Sequence, residues 1–279
     1  MSAISYDRIV ASKPFYLYVG PNKKEFVMHL ELVASLSKPL QTLVKGKMKE
    51  ARESVAEWPE VDEGTFVRFC EFAYTGSYKP AAPIRRPLPK SQESPTSQPG
   101  QKGPFGIYDD LGIAIEDGYV YEGCSMRGSY NWQRETKNKW KLFQAAEVGA
   151  GAEAANTEAE DDYGETLLSH ARLYVLADMY AVEPLMALCV RRLHRTLKVF
   201  RLHGGVRTAD LAQLFEYAYH NTRPDTPGPP ARVDRLRELL AAYAACRIYE
   251  LWDNPQLRAA LEIGDLSKNI LAQLLNRPD

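Results

Sequence analysis

Cysteine is scarce in this chain, and its placement serves no evident chemistry. Cys70, Cys124, Cys189 and Cys246 are scattered over 279 residues with no CxxC pair, which excludes a disulfide framework and a zinc-ribbon site and leaves free thiols of a reducing compartment. Long apolar runs are missing too. No stretch of about 18 apolar residues exists to span a bilayer, and the opening MSAISYDRIVAS lacks the apolar segment of a signal peptide. No membrane association is expected, and the location expected is intracellular, cytoplasm or nucleus. Neither sign of charge dominates: 35 Lys and Arg face 36 Asp and Glu, a net charge of -1. Nucleic acid is therefore an unlikely partner unless a local patch binds it.

Catalytic signatures are absent as well. There is no GxSxG, no Walker-type Gly-Lys loop, no HExxH and no GxGxxG after a strand. The glycines of GAGAEA sit in a low-complexity stretch and open no helix. His29, His170, His194, His203 and His220 are dispersed and share no ligand spacing with carboxylates. No catalytic residue, metal or cofactor is expected, and the chain is not read as an enzyme.

What is present is a globular composition, 45% hydrophobic and 25% charged, of a length that suits one domain with a large insertion or two small domains. Proline divides it. Seven of the 18 prolines, Pro80, Pro83, Pro87, Pro89, Pro95, Pro99 and Pro104, fall in one stretch that holds neither helix nor central strand. Further on, GAGAEAANTEAEDD offers little to bury. Residues 79–163 read as an insertion, with most of 80–104 and 149–162 expected to be disordered. Between them Tyr119, Tyr121, Trp132, Trp140 and Phe143 supply the aromatics of an ordered patch.

Before the insertion, Phe15, Leu17 and Val19 alternate with Tyr16 and Tyr18, GPNKK turns the chain and EFVM returns it, a hairpin. Leu32, Leu36, Leu40, Leu43 and Val44 follow at near-helical spacing, with Pro39 and Gly46 disturbing the finish. Asp62 is placed to cap a helix carrying Phe66, Phe69, Cys70 and Ala73 on one face, and Gly76 to end it. Phe66, Phe69 and Leu173 are expected to share one core. After the insertion the pattern is helical throughout: a helix, a turn at Ala181 and Val182, then a helix with Pro184 in its first turn and Leu185, Cys189, Leu193, Leu197 and Phe200 on one stripe. Leu211, Leu214, Phe215 and Ala218 mark another helix. A long one is expected from about Val233 to Trp252, and a last one ends in NILAQLL. FCEFAYTG and FEYAYHN echo one another, as amphipathic helices often do.

The strongest charge feature is RRLHRTLKVFRLHGGVR, residues 191–207, with six Arg or Lys and no acid. Arg191, Arg195 and Lys198 share a helix face opposite the apolar stripe. Most such faces are merely solvated, and an acidic partner or nucleic acid is the sharper alternative. PIRRPLPK is open between a linker and a weak nuclear-import signal.

The runs HLELVASLSKPLQTLVKGKMKEA, TFVRFCEFAYTGSY and LLSHARLYVLADMYAVEPL together resemble a BTB/POZ domain of the fungal type. The matching positions are Gly20, His29, Ala34, Ser35, Ser37, Gly46, Met48 and Glu50, then Tyr74-Thr75-Gly76 and Ala177, Asp178 and Tyr180. Lys13-Pro14 and Pro39-Leu40 depart from the family's pattern. The resemblance implies an α+β fold: a BTB/POZ-like core of a small sheet capped by helices over 12–78 and 164–200, interrupted by the insertion 79–163 and extended by a helical region over 201–279. It implies a non-enzymatic interaction module that self-associates, as a homodimer, or docks protein partners, in its specific form as a substrate adaptor on a cullin-3-like ubiquitin-ligase scaffold. The alternative is a transcription-linked scaffold or nucleic-acid-associated regulator using the basic helix 191–207. His29 is read as a structural hydrogen-bonding group, Tyr74 and Tyr180 as core residues, and Cys70 and Cys189 as inert. Family members pair through the first helix, where Leu30, Val33, Leu36 and Leu40 offer more apolar surface than one face buries internally.

Overall fold

A computed structural model describes residues 5–87, 127–146, 154–203, 206–224, 226, 234–252 and 255–275, with the backbone alone for 127–135, 249, 252 and 256. In chain order the elements are α1 (Tyr6–Val10), β1 (Pro14–Val19), β2 (Lys24–His29), α2 (Leu30–Leu36), α3 (Lys38–Lys45), α4 (Lys49–Glu53), β3 (Val55–Trp58), α5 (Glu63–Thr75) and β4 (Ile84–Arg85). They continue with α6 (Arg127–Ala145), β5 (Asp161–Asp162), α7 (Gly164–Met179), α8 (Glu183–Val199), α9 (Thr208–Asn221), α10 (Arg235–Cys246), α11 (Ile248–Trp252), α12 (Pro255–Ala260) and α13 (Gly264–Leu275). The fold is α+β. Two compact units form, one from Met1–Ala81 with Ser169–Val190 and one from Ala82–Leu168 with Arg191–Asp279.

In the first unit β1 is the middle strand of the order β2-β1-β3. It pairs antiparallel with β2, Leu17 opposite Phe26, and parallel with β3, Leu17 opposite Ala56. Alternation puts Phe15, Leu17 and Val19 on one face, and all three are fully buried. The helical run after β2 breaks at Ser37, whose hydroxyl accepts the Leu40 N–H at 3.2 Å and caps α3, with Pro39 in its first turn. Asp62 caps α5 by accepting the Thr65 N–H at 2.9 Å, and Gly76 ends it in the left-handed region at φ 74°. Phe66 and Phe69 are fully buried, as is Leu173.

The turn between α7 and α8 closes tightly. Ala181 takes φ 52°, and the Val182 N–H reaches back to the Ala177 carbonyl at 2.8 Å, a Schellman closure. The Val182 carbonyl then accepts from Leu185 and Met186, starting α8. On α8, Leu185, Cys189, Leu193 and Leu197 lie buried along one stripe, followed by Phe200.

In the second unit β4 and β5 form a two-stranded ribbon, Ile84 opposite Asp162 and Arg85 opposite Asp161. Of 80–104 and 149–162, most of which is expected to be disordered, residues 80–87 and 154–162 are held in place. Backbone pairing supplies part of the reason, with the Arg86 N–H donating to the Glu160 carbonyl at 2.8 Å. Asn156 supplies more. Fully buried, it exchanges two side-chain hydrogen bonds of 2.7 Å with the Arg201 backbone and its carbonyl accepts from His203 Nε2 at 2.9 Å. Of the expected aromatic patch, Trp140 and Phe143 are buried on α6, whereas Tyr119, Tyr121 and the side chain of Trp132 lie outside the described residues, together with 88–104 and 149–153. The long helix expected to Trp252 is interrupted at Arg247, which separates α10 from α11.

Arg237 anchors this unit. Its side chain is 2% exposed, and it donates to Thr222 Oγ1 and to the carbonyls of Tyr219 and Thr222 at 2.7–2.8 Å, and to Asp265 at 3.2 Å. The orphan carbonyls at the end of α9 thereby find their donors. The echoing segments end differently: α5 stops at Gly76 in the left-handed region and α9 at Thr222 in extended backbone.

Candidate functional site

The Tyr74-Thr75-Gly76 segment acts as a junction in the first unit. Tyr74 Oη accepts the His29 N–H at 3.3 Å and shares a proton with His29 Nδ1 at 2.9 Å, tying the end of α5 to the start of α2. Thr75 Oγ1 caps the last turn through the Glu71 and Ser77 carbonyls at 2.7 and 2.9 Å. His29 is thus a structural hydrogen-bonding group, while Tyr74, expected in the core, is 44% exposed. Its ring meets His29 edge-on with the rest in solvent.

The Ala177–Tyr180 segment meets the same core from the other side of the sequence. Tyr180 stacks on Trp58 at 4.6 Å, and Trp58 packs edge-on against Phe66 and Phe69 at 5.6 and 5.9 Å. Beyond Gly76 the chain is pinned through two fully buried side chains, Tyr78 Oη bonding His170 Nδ1 at 2.7 Å. The Ala81 N–H then donates to Ser169 Oγ at 3.1 Å.

The four interface candidates separate. Leu30 and Leu36 are half-buried, but Val33 and Leu40 are fully buried. The expected surplus of apolar surface is corrected accordingly. The break at Ser37 turns Leu40 and Val44 into the unit, so α2 and α3 bury more together than one straight helix would. Exposed apolar side chains of this unit include Val27, Val67, Tyr74 and Met179; Val67 and Tyr74, seven apart, share a face of α5.

The basic run separates as well. Arg191 is exposed, whereas Arg195 and Lys198 are half-buried and have partners of their own. Arg207 is buried, donating to the Ala159 carbonyl at 2.6 Å and standing 3.9 Å from both Asp162 and Asp210. Arg86 pairs with Asp162 at 3.1 Å. Asp210 accepts the Tyr163 N–H at 3.0 Å, and burial pushes its carboxyl up to about 6, against the pull of that bond and of Arg207. Sequence reasoning missed this cluster. The i, i+3 pair Arg207 and Asp210 was its only local sign.

Burial pushes the thiols of Cys70 and Cys246 up to about 12, so both remain protonated and weakly nucleophilic. Cys189 is buried. Among the described residues no three His, Cys, Asp or Glu side chains converge to hold a metal ion, and no helix is long and apolar enough to cross a membrane. No protein-family model matches the chain, and no curated protein matches it.

Proposed function

We propose that the chain is a non-enzymatic protein–protein interaction module of the BTB/POZ type, self-associating or docking a partner, with adaptor service on a cullin-3-like ubiquitin-ligase scaffold as its specific form. The observation that supports this best is the meeting of two remote segments in one unit: Tyr180, from the second, stacks on Trp58, which packs on Phe69, five residues before Tyr74 of the first. A hairpin with a third, parallel strand and helices between is in keeping with the small helix-capped sheet of that resemblance. The apolar residues left at the surface of α5 favour contact over catalysis. The nucleic-acid alternative has less beneath it, because Arg195 and Lys198 are engaged and Arg207 is buried.

Sedimentation equilibrium and calorimetric titration with a purified cullin-3 amino-terminal fragment test the reading. A dimer, or a saturable complex, is the expected result. A 31.5 kDa monomer that persists at high concentration and binds no cullin removes both specific forms, and salt-dependent retention on DNA would favour the alternative.

A further inference from the structure

Helix α6 sits in the second unit as a ligand sits in a groove. Trp140 and Phe143, three residues apart, point to one side, are 8% and 6% exposed, and stack at 5.5 Å. Lys141, Leu142, Gln144 and Ala145 on the other faces are exposed. The receiving surface comes from α8, α10 and α13. Phe143 meets His194 edge-on at 4.4 Å and Tyr243 at 5.7 Å, and the Arg247 guanidinium lies 5.2 Å from the Trp140 ring. Two polar contacts fix the register: His194 Nε2 donates to the Phe143 carbonyl at 2.7 Å, and Lys139 Nζ donates to the Gln273 carbonyl, in the last turn of α13, at 2.6 Å. Aromatic anchors on one helix face, seated in a pocket lined by other helices, are the pattern of helix-in-groove recognition.

The fit is incomplete at its centre. Among the described residues, Trp140 Nε1 and Tyr243 Oη are both buried without a hydrogen-bond partner, and their rings meet edge-on at 6.2 Å. Buried donors of this kind oppose the contact that buries them, and departure of α6 would return both to water. A helix that brings an acceptor to them gains what α6 lacks.

We propose that this face of the second unit is a docking site for an amphipathic helix of a partner protein, one with a lysine followed at once by two aromatic residues three apart, and that α6 is its resident competitor. The proposal concerns the second unit and does not rest on the family resemblance.

A fluorescein-labelled synthetic peptide of residues 134–146 is the probe, titrated against the full chain and against full-length Trp140→Ala/Phe143→Ala, in which α6 has lost its anchors. The peptide binds the double variant about tenfold or more tightly than the parent, since a tethered competitor acts at high effective concentration. A peptide without the two aromatics binds neither. A folded double variant that does not bind, or equal binding to both chains, overturns the proposal. Hydrogen exchange on the parent decides independently of that variant's folding: α6 amides exchange about tenfold or more faster than those of α10 if α6 leaves by itself, and exchange of both at one common rate makes α6 part of the core and ends the proposal.

Discussion

Asp210 holds its proton more firmly in the folded chain than an ordinary aspartate does, about 6 against 3.8. A raised folded-state value means that its stabilising contribution is complete below about pH 4 and disappears as the pH rises through about 6. Between those values thermal stability therefore falls with rising pH, by about 3 kcal/mol for this group. Asp210→Asn keeps an acceptor for the Tyr163 N–H and carries no charge, so it should flatten that slope in melting curves recorded across the window. Arg237 obeys a different logic. Its partners are two backbone carbonyls, a hydroxyl and a carboxylate, and Arg237→Met strands them in a buried site at a cost of about 3–5 kcal/mol. Arg237→Lys should recover little, because a single ammonium does not reproduce the planar fork. Denaturant midpoints of the three chains give the comparison.

Helix ends show how strongly elements depend on local signals. Gly76 has nothing within 4 Å of a Cβ built there, so Gly76→Ala meets only the left-handed backbone and should cost about 1 kcal/mol. At Gly46 the same added atom would collide with the Thr42 carbonyl oxygen, so Gly46→Ala must move backbone and should destabilise more; chemical denaturation ranks the two. α5 was legible in full because its cap, its stripe and its stop all lie within fifteen residues. The break at Ser37 was less so, since the hydroxyl cap competes with an apolar periodicity that runs straight through it. Val33 and Leu40 were misjudged for a tertiary reason: which face of α2 and α3 is covered depends on the sheet and on α5. The β4–β5 ribbon and the Asn156 clamp were illegible, because their partners lie 45 to 78 residues away and their own composition is that of loops. Arg237 was missed similarly, its acceptors being 15 to 28 residues distant.

For the whole molecule, the proposed self-association through the first unit would have to use what that unit leaves uncovered. Leu30→Asp and Leu36→Asp should weaken a dimer while leaving the melting temperature nearly unchanged, whereas Val33→Asp places a charge in a fully buried site and should unfold the unit. Sedimentation alongside thermal melts separates the two outcomes. Candidate contact residues were thus only half legible in the sequence, since periodicity finds an apolar stripe but not what lies against it. The ribbon of β4 and β5 has a practical meaning for anyone handling this protein. Because Ile84 and Asp162 are cross-strand neighbours, the long excursion between them starts and finishes at one place, and the entropy of closing such an excursion grows only with the logarithm of its length. Residues added to that excursion directly after Pro87 should accordingly cost little stability, and melting curves of the lengthened chain check it.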